Sequence, residues 1–328
     1  MSQSSSAAPS RDTRVLIAFA CVYLIWGSTY LAIHVAGEHL PVPVVATSRA
    51  LLSAVLLLVI CLLSGKSLRV PKGEGWRLAL AGILFMSGNN MLLTWGETMV
   101  PSGFAALVVC STPIMIALIE VAMVRLGRGG EPLNGRGWIG TLLGFAGLTV
   151  LVLPSIRAEF SHQGVAGYSN PAFGVLVLIG AALSFAFGAV FSRRCRFQAD
   201  TLVATGWQVG AAGLFNLCIA LAAGSFRRGV WTWQGTSAIL YLAIFGTIFG
   251  LVAFTYLLQN VAVTKVSTYA FVNPVIAVLL GFLILHERMA RIQLLGMGII
   301  VCGVAMVVLS RGIPGKREII GASGEAVE

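Results

Sequence analysis

The chain has 328 residues, of which 57% are hydrophobic and 10% are charged. Soluble domains carry about 25% charged residues, so this composition leaves too little charge to cover a water-exposed surface and excludes a soluble protein. The net charge is +10 at pH 7, but the Lys and Arg residues stand in short clusters between apolar stretches. Such clusters are typical of membrane topology signals and do not indicate a nucleic-acid-binding face.

Ten apolar stretches are long enough to cross a bilayer, because about 20 helical residues span about 30 Å of hydrocarbon. The predicted spans are 15–35, 43–63, 76–96, 102–124, 137–153, 172–192, 201–223, 236–258, 266–285 and 292–309. The stretches do not alternate apolar and polar residues, so a transmembrane β-barrel is not indicated. The sequence therefore predicts an all-α integral membrane protein with ten transmembrane helices.

The two ends of the chain are polar. Residues 1–14 are predicted to form a disordered cytoplasmic segment and residues 310–328 a cytoplasmic tail. The apolar stretch from Val15 continues to Val35, longer than the apolar region of a signal peptide, so it is interpreted as the first span. With both termini in the cytoplasm, 16 basic residues lie inside and 5 outside. This excess predicts that orientation.

An internal repeat is predicted between residues 15–153 and residues 172–309, with an inter-repeat loop over 154–171. Aromatic and proline positions match at an offset of 161, and glycines of the last span in each half match at an offset of 156. The aligned pairs are Trp26 with Phe187, Trp95 with Tyr256, Pro113 with Pro274, Gly140 with Gly296, and Gly147 with Gly303.

Each predicted half contains five spans, so the second half enters the membrane from the opposite side to the first. Two inverted halves related by a pseudo-two-fold axis in the membrane plane can exchange conformations. An outward-open and an inward-open state then surround one central site. The predicted architecture therefore favours a transporter that works by alternating access.

Two prolines lie in the middle of predicted spans, Pro113 in the fourth and Pro274 in the ninth. A proline ring removes one intrahelical hydrogen bond and clashes with the preceding turn. One interpretation is a bend that lines a cavity and offers unpaired backbone groups to a substrate. The other is a tolerated kink whose freed carbonyl is bound by a neighbour such as Ser111, Thr112 or Asn273.

Amides also lie within the spans, at Asn89 and Asn90 in the third and at Asn273 before the second proline. An intramembrane Asn often binds a neighbouring helix and contributes about 1 kcal/mol or less. The alternative is contact with a substrate. Since adjacent residues differ by about 100° around a helix, we expect at most one of Asn89 and Asn90 to face the cavity centre.

Several aromatic residues lie away from the membrane interfaces where Trp and Tyr are usually found. Trp26 and Tyr269 are far from the ends of their spans, and together with Trp95 and Tyr256 they could stack on an amphipathic or aromatic substrate. The predicted substrate pathway consists of Trp26, Asn89, Trp95, Pro113, Tyr256, Tyr269, Asn273 and Pro274.

Charged residues inside spans are costly and require a partner or a function. Arg49 lies about 9 Å from the outer end of the second span, where it either reaches the headgroups or holds a carboxylate. Glu120 is predicted to pair with Arg125 near the cytoplasmic end, or to have a role in charge coupling. His34 and Glu97 lie near span ends and could titrate with a coupling proton.

Other functional classes lack their motifs. None of the six Cys residues forms a C-x-x-C pair, so neither a disulfide framework nor a zinc site is indicated. No phosphate-binding loop of an ATPase is present, and no Ser/His or paired-carboxylate constellation lies at membrane depth. The string GASG at 321–324 lies in the tail and is treated as a chance match to an intramembrane protease motif. The sequence predicts no catalysis, no metal and no cofactor.

The motifs in both halves resemble those of one family of membrane proteins. They are WGSTY at 26–30, Arg49, VPSG at 100–103 leading to Pro113, and YAFVNPV at 269–275 leading to His286, Glu287 and Arg288. Over residues 15–309 the chain resembles the EamA family of the drug/metabolite transporter superfamily, and the last block is most similar to its YedA-type inner-membrane branch. One departure is Leu126, where the first half lacks the Glu that the second half has as Glu287.

The resemblance implies ten helices in two inverted five-helix halves and a secondary permease, often an exporter, without a bound cofactor. We therefore predict a bacterial inner-membrane transporter that moves an amino acid, a metabolite or an amphiphilic drug. Its expected partners are a small-molecule substrate, the lipid bilayer and a possible coupling proton, without nucleic acid, and it acts as a monomer or homodimer. The alternative is a non-transporting scaffold or receptor with the same helical bundle.

Overall fold

The computed structural model describes residues 11–97, 99–100, 102–163, 170–284 and 290–310. Within the helices some side chains, including those of His34 and Glu97, also lie outside the described part. Most of the predicted disordered N-terminal segment and of the predicted tail falls outside these residues. The described part of the chain is all-helical, as predicted.

Seven α-helices form the first half. They are α1 (Arg11–His39), α2 (Val42–Leu63), α3 (Gly75–Gly82), α4 (Asn89–Glu97), α5 (Ser102–Val109), α6 (Thr112–Arg125) and α7 (Gly135–Gln163). A π-helical segment, Ile83–Gly88, joins α3 and α4 into one continuous helix that occupies the third predicted span.

Seven more α-helices form the second half. They are α8 (Pro171–Cys195), α9 (Thr201–Ala222), α10 (Trp233–Tyr241), α11 (Gly250–Asn260), α12 (Val263–Val266), α13 (Tyr269–Ile284) and α14 (Arg291–Leu309). A short 3-10 helix, Ser225–Arg228, follows α9. A second π-helical segment, Leu242–Phe249, joins α10 and α11 as the first joins α3 and α4.

Polar caps fix where several of these helices begin. The side chains of Asn134, Asn170, Asp200 and Thr232 accept hydrogen bonds from backbone N–H groups in the first turns of α7, α8, α9 and α10. Each cap satisfies a donor that has no partner within its own helix and contributes about 1 kcal/mol.

Helix α7 extends beyond the fifth predicted span. That span was placed at 137–153 and followed by a loop, but the helix runs Gly135–Gln163 with Pro154 inside it. The prediction followed hydropathy, and the residues after Pro154 are largely polar. Hydropathy therefore marks where the helix leaves the hydrocarbon and not where it ends.

Eight of the described helical segments are long and apolar enough to cross a membrane. The first and third predicted spans are not among the eight, but both are helical, as α1 and as the α3–α4 run with its π-helical segment. The described helices thus occupy all ten predicted spans. The protein is a multi-pass membrane protein.

Contacts between the halves follow the repeat. Helix α1 packs against α11 and α13, and its repeat equivalent α8 packs against α4 and α6, which are equivalent to α11 and α13. Helix α2 packs along α9, and α7 packs along α14, so each equivalent pair meets. Exchanging the two halves leaves this pattern unchanged, as a pseudo-two-fold axis requires.

The α7–α14 interface depends on the four aligned glycines. A Cβ on Gly140 would lie 2.6 Å from the carbonyl oxygen of Gly303, and a Cβ on Gly147 would lie 2.9 Å from that of Gly296. No other residue type allows this backbone approach. The glycines that align in the repeat therefore join the two halves of one chain.

Candidate functional site

A cavity of about 180 Å³ lies between the two halves, at mid-height of the bundle. Its wall is built from α1, α2, α4, α8, α11 and α13, from both π-helical segments, and from the adjoining ends of α5 and α6 with the turn between them. Trp26 of α1 lies eleven residues after Val15, about 16 Å along the helix, which is near the middle of a bilayer. The cavity continues along α1 to Ile33, toward the end where α1 finishes.

The cavity brings together four of the eight residues predicted for the substrate pathway. Trp26, Asn89, Tyr269 and Asn273 are part of its wall. These four residues come from three helices, α1 and α4 in the first half and α13 in the second, so the wall depends on the assembled bundle.

The other four predicted pathway residues lie away from the cavity wall. Trp95 is 50% exposed on the outer surface, where its ring meets that of Phe173 edge-on at 5.6 Å. Tyr256 packs against the apolar core below the cavity. Pro113 and Pro274 are in the helices that border the cavity but do not line it. Whether each of these side chains lines the cavity depends on the face of the helix from which it projects, and the repeat alignment does not reveal that face.

Both Asn89 and Asn90 line the cavity, although we expected at most one of them to do so. The cavity therefore wraps around α4 by more than the 100° that separates adjacent residues. The Oδ1 atom of Asn89 is buried and has no hydrogen-bond partner among the residues that the structure describes. Asn273 is only 4% exposed, and its Oδ1 atom likewise has no partner among the described residues.

Five aromatic rings pack together at the cavity and immediately below it. Trp26 meets Tyr269 at 4.9 Å between ring centroids and Phe254 at 5.1 Å. Phe185 meets Phe254 at 5.7 Å, and Phe85 meets Phe254 at 6.1 Å. We call these five residues the aromatic cluster. Phe254 is 1% exposed and the other four line the cavity, so the cluster separates the cavity from the apolar core beneath.

The second π-helical segment holds Trp26 in place. The indole N–H of Trp26 donates to the carbonyl of Gly246, in that segment, over 2.9 Å. A side chain at Gly250, one turn further on, would collide with the indole. π-Helical turns leave carbonyls outside the regular ladder and occur frequently at functional sites. Each half contributes its π-helical segment to the cavity wall, with Phe85 from one and Thr247 from the other.

The fourth predicted span is broken where a continuous kinked helix was expected. α5 ends at Val109, and Pro113 lies in the first turn of α6, where a proline costs no hydrogen bond. The hydroxyl of Thr112 donates to the Val109 carbonyl over 2.6 Å. The carbonyl that Pro113 would leave free is therefore satisfied by a neighbour. Cys110, in the break itself, lines the cavity.

Arg49 is the charged residue among the described side chains of the cavity wall. It lies seven residues after Val42 on α2, about 10 Å from that end of the helix. In the described part of the chain its guanidinium makes neither an ion pair nor a hydrogen bond. The sequence left headgroup contact and carboxylate binding open for Arg49, and its position in the cavity wall favours the second.

Glu120 lies far from the cavity, at the end of the bundle where α1 begins, which we call the N-terminal end. It is 2% exposed and pairs with Arg194 of α8 over 3.2 Å, not with Arg125 as we predicted. Arg125 points to the exterior, and the packing of α6 on α8 supplies the other arginine. Glu120 also accepts the backbone N–H of Glu131 over 2.7 Å.

Several further contacts join the halves at the N-terminal end. Arg193 pairs with Glu131 over 3.0 Å, and Tyr23 shares a hydrogen bond of 2.7 Å with Thr268. Lys66 forms an ion pair with Asp200. Together with Glu120–Arg194, we call these pairs the closing contacts. They lie on the side of the aromatic cluster away from the cavity.

Three residues of the aromatic cluster could not be identified from the sequence. Phe85, Phe185 and Phe254 stand in apolar stretches that contain many similar residues, and nothing in the spacing distinguishes them. The predictions for His34 and Glu97 concern side chains outside the described part. Among the described residues, no group of three or more His, Cys, Asp or Glu side chains is placed to hold a metal ion.

Comparison with known proteins extends over both halves. The EamA-like transporter family matches residues 13–153 and again residues 172–309. The division agrees with the repeat that the sequence alignment and the contact pattern define. A solved crystal structure superposes on the chain with a TM-score of 0.74 at 22% sequence identity, covering 92% of this chain and 98% of that one. This likeness shows a shared fold.

Bacterial transporters are among the similar proteins. The uncharacterized inner membrane transporter YedA of Escherichia coli (strain K12) is 34% identical over 295 residues, which are 90% of each chain. The uncharacterized transporter YoaV of Bacillus subtilis (strain 168) is 25% identical over 89% of this chain and 96% of its own. The chain is therefore a membrane transporter and belongs to the EamA-like transporter family.

Proposed function

We propose that the protein is a secondary transporter that moves a small organic solute by alternating access through the central cavity. The observation that carries this proposal is a cavity at mid-height, walled by both inverted halves and containing buried amide oxygens of Asn89 and Asn273 without partners. An unpaired buried polar atom costs about 1–3 kcal/mol, and a solute that donates hydrogen bonds would recover that cost.

The size of the cavity favours a small solute. Pockets for drug-sized ligands have volumes of about 300–1,000 Å³, whereas this cavity has about 180 Å³. An amino acid or a metabolite of similar size therefore fits better than a bulky drug. The scaffold or receptor alternative predicts an interior filled by large apolar side chains, and the cavity argues against it.

The closing contacts support a state that is sealed at the N-terminal end. The excess of basic residues predicts that this end is cytoplasmic, and with that orientation the cavity of this state faces the outside. Transport then requires the halves to separate at the closing contacts and to approach each other at the opposite end. We propose export from the cytoplasm across the bacterial inner membrane as the direction.

One closing contact has no counterpart in the repeat. At the offset of 161, Glu120 corresponds to Gly281 and Arg194 to Ile33, so no equivalent ion pair can form at the opposite end. The two halves share a scaffold whose two closed states would otherwise be similar in energy. A pair present on one side alone favours the state closed to the cytoplasm.

Counterflow into proteoliposomes tests this proposal. Purified protein is reconstituted and offered a panel of amino acids and amphiphilic drugs, with wild type compared to Asn273→Leu and Asn216→Leu. Asn273 lines the cavity, whereas Asn216 of α9 is equally buried, also has an unpartnered Oδ1 and does not line it. We expect counterflow of at least one solute, lost in Asn273→Leu and retained in Asn216→Leu.

Two results would count against transport through this cavity. One is the absence of counterflow of every solute by protein with a cooperative thermal transition. The other is equal activity in Asn273→Leu and wild type, because Leu both removes the amide and fills part of the space.

A further inference from the structure

The Arg49 guanidinium lines the cavity and makes neither an ion pair nor a hydrogen bond within the described part of the chain. Glu120, Glu131 and Asp200 each have a basic partner, and the described side chains of the cavity wall include no carboxylate. Placing an arginine at the centre of a membrane helix costs about 2.5–3.5 kcal/mol on insertion scales. Because the described residues offer the guanidinium no partner to offset this cost, we look for the partner in a bound solute.

The repeat does not require a charge at this position. At the offset of 161, Arg49 corresponds to Gly210 of α9, so the equivalent place in the second half has no side chain. Ser53 lies one turn from Arg49 and joins α2 to the second half, because its hydroxyl donates to the carbonyls of Arg49 and of Ala243. The backbone of Arg49 therefore has a structural partner and its side chain does not.

The other groups of the cavity wall complement the uncharged part of such a solute. The aromatic cluster offers an apolar surface, and the Oδ1 atoms of Asn89 and Asn273 accept hydrogen bonds. A guanidinium presents a planar fork of N–H donors that matches the two oxygens of a carboxylate. One site thus combines a single positive charge, two acceptors and an apolar floor.

We propose, on the basis of the proposed function, that Arg49 binds the carboxylate of the transported solute. The substrate class is then a small carboxylic acid in its anionic form, with an apolar body on the aromatic cluster and an N–H or O–H donor for Asn89 or Asn273. Neutral analogues of the same shape are excluded, because they leave the guanidinium buried without a counter-charge.

A binding experiment tests this assignment without requiring transport. Detergent-purified full-length protein is titrated with acetate, 3-phenylpropionate and phenylalanine, each compared with its own amide, and with inorganic phosphate. The shift of the thermal midpoint with concentration gives the apparent Kd. At least one acid should raise the midpoint while its amide does not, since the amide has the same shape and no charge.

Variants then assign the effect to one residue. In Arg49→Gln the affinity for that acid should fall ten- to a hundred-fold, as expected for loss of a charged hydrogen-bond partner. Arg49→Lys should retain the preference for acid over amide with weaker binding, because the charge remains and the fork is lost. Arg69→Gln makes the same charge change on an exposed residue and should bind like wild type.

Three results would overturn the proposal: equal stabilisation by an acid and its amide, stabilisation by phosphate alone or by none of these ligands, and unchanged acid binding in Arg49→Gln. If Arg49→Gln does not fold, the comparison of acid with amide in wild type and Arg49→Lys still decides. Arg49-dependent acid binding without counterflow would overturn transport and leave this assignment intact. If neutral solutes show counterflow that is unchanged in Arg49→Gln, transport would stand and the assignment of Arg49 would be overturned.

Discussion

At the scale of single residues, some polar groups of this protein stabilise the fold, whereas three at the cavity are available to a ligand. Thr112 and Ser53 bind carbonyls of their own or neighbouring helices. Asn89, Asn273 and Arg49 line the cavity, and each has a polar group without a partner. Because each unpaired group costs free energy in the bilayer, their convergence on one cavity is best explained by a ligand.

Asp200 provides a prediction about pH. Partial burial alone would raise the pKa of Asp200, but hydrogen bonds from Lys66 and from the backbone N–H of Leu202 bring it below its ordinary value. A lowered pKa stabilises the fold above the unfolded value of about 3.9 and loses that stabilisation as the pH falls through the folded value. Asp200→Asn keeps the helix cap and removes the charge.

We therefore expect wild type to be more stable than Asp200→Asn at neutral pH, by a small amount because the pair is partly exposed. The difference should vanish as the pH falls below about 4, measured by thermal unfolding in detergent. Asp200→Ala should lose about 1 kcal/mol more at every pH because it also removes the cap. A difference between wild type and Asp200→Asn that grows toward acid pH would contradict the assignment.

The sequence predicted which residue types are candidates for the site more reliably than it predicted which of them point into the cavity. Trp26 and Asn273 stood out because polar and amphipathic groups are costly at mid-span. Trp95 was predicted from its aromatic side chain and its alignment with Tyr256, but it is exposed on the outer surface, because the direction of its side chain depends on how α4 is rotated against α8. Phe254 gave no signal at all, since an apolar residue in an apolar stretch is what the membrane itself requires.

At the scale of elements, the ten predicted spans correspond to helices, but their interruptions could not be predicted. The two π-helical segments, Ile83–Gly88 and Leu242–Phe249, lie at equivalent places in the third span of each half. Hydropathy is the same for an α-helix and a π-helix, so the sequence pattern contains no signal for them. Their shared position supports the repeat more strongly than any aligned glycine or proline.

The glycine contacts between α7 and α14 allow a test of the interface. A Cβ on Gly147 would lie 2.7 Å from the backbone nitrogen of Ile300, which cannot move aside, whereas a Cβ on Gly298 meets nothing within 4 Å. We expect Gly147→Ala to destabilise the protein by about 1–3 kcal/mol through overpacking. Gly298→Ala should be neutral or slightly stabilising, since alanine is the better helix former.

Thermal unfolding of both variants in the same detergent measures the difference. Equal midpoints for Gly147→Ala and Gly298→Ala would show that α7 and α14 do not meet along this line of glycines.

At the scale of the whole molecule, the two halves share a fold but differ in their functional side chains. The contact pattern is symmetric under exchange of the halves, but Arg49, Asn89 and the Glu120–Arg194 pair have no equivalents at the matching positions. On the proposal made above, the symmetric scaffold provides two closed states of similar energy, and the asymmetric residues provide the binding site and the bias between the states. We therefore expect substitutions at these departures from the repeat to change function most.

Glu120→Gln should change this bias. The amide retains an acceptor for the Glu131 N–H but loses its charge toward Arg194, so separation at the N-terminal end becomes easier. Asp12→Asn makes the same charge change on an exposed carboxylate of α1 and should have no effect.

The most direct test of alternating access is the labelling of Cys110 from each side of the membrane. Cys110 lines the cavity, so a variant that keeps it and replaces the other five cysteines reports which side reaches the site. With a membrane-impermeant thiol reagent, we predict reaction from the side where α1 ends, and faster reaction from the N-terminal side in Glu120→Gln than in Asp12→Asn. A Cys110 that stays unreactive from both sides, or whose sidedness Glu120→Gln leaves unchanged, would contradict alternating access around this cavity.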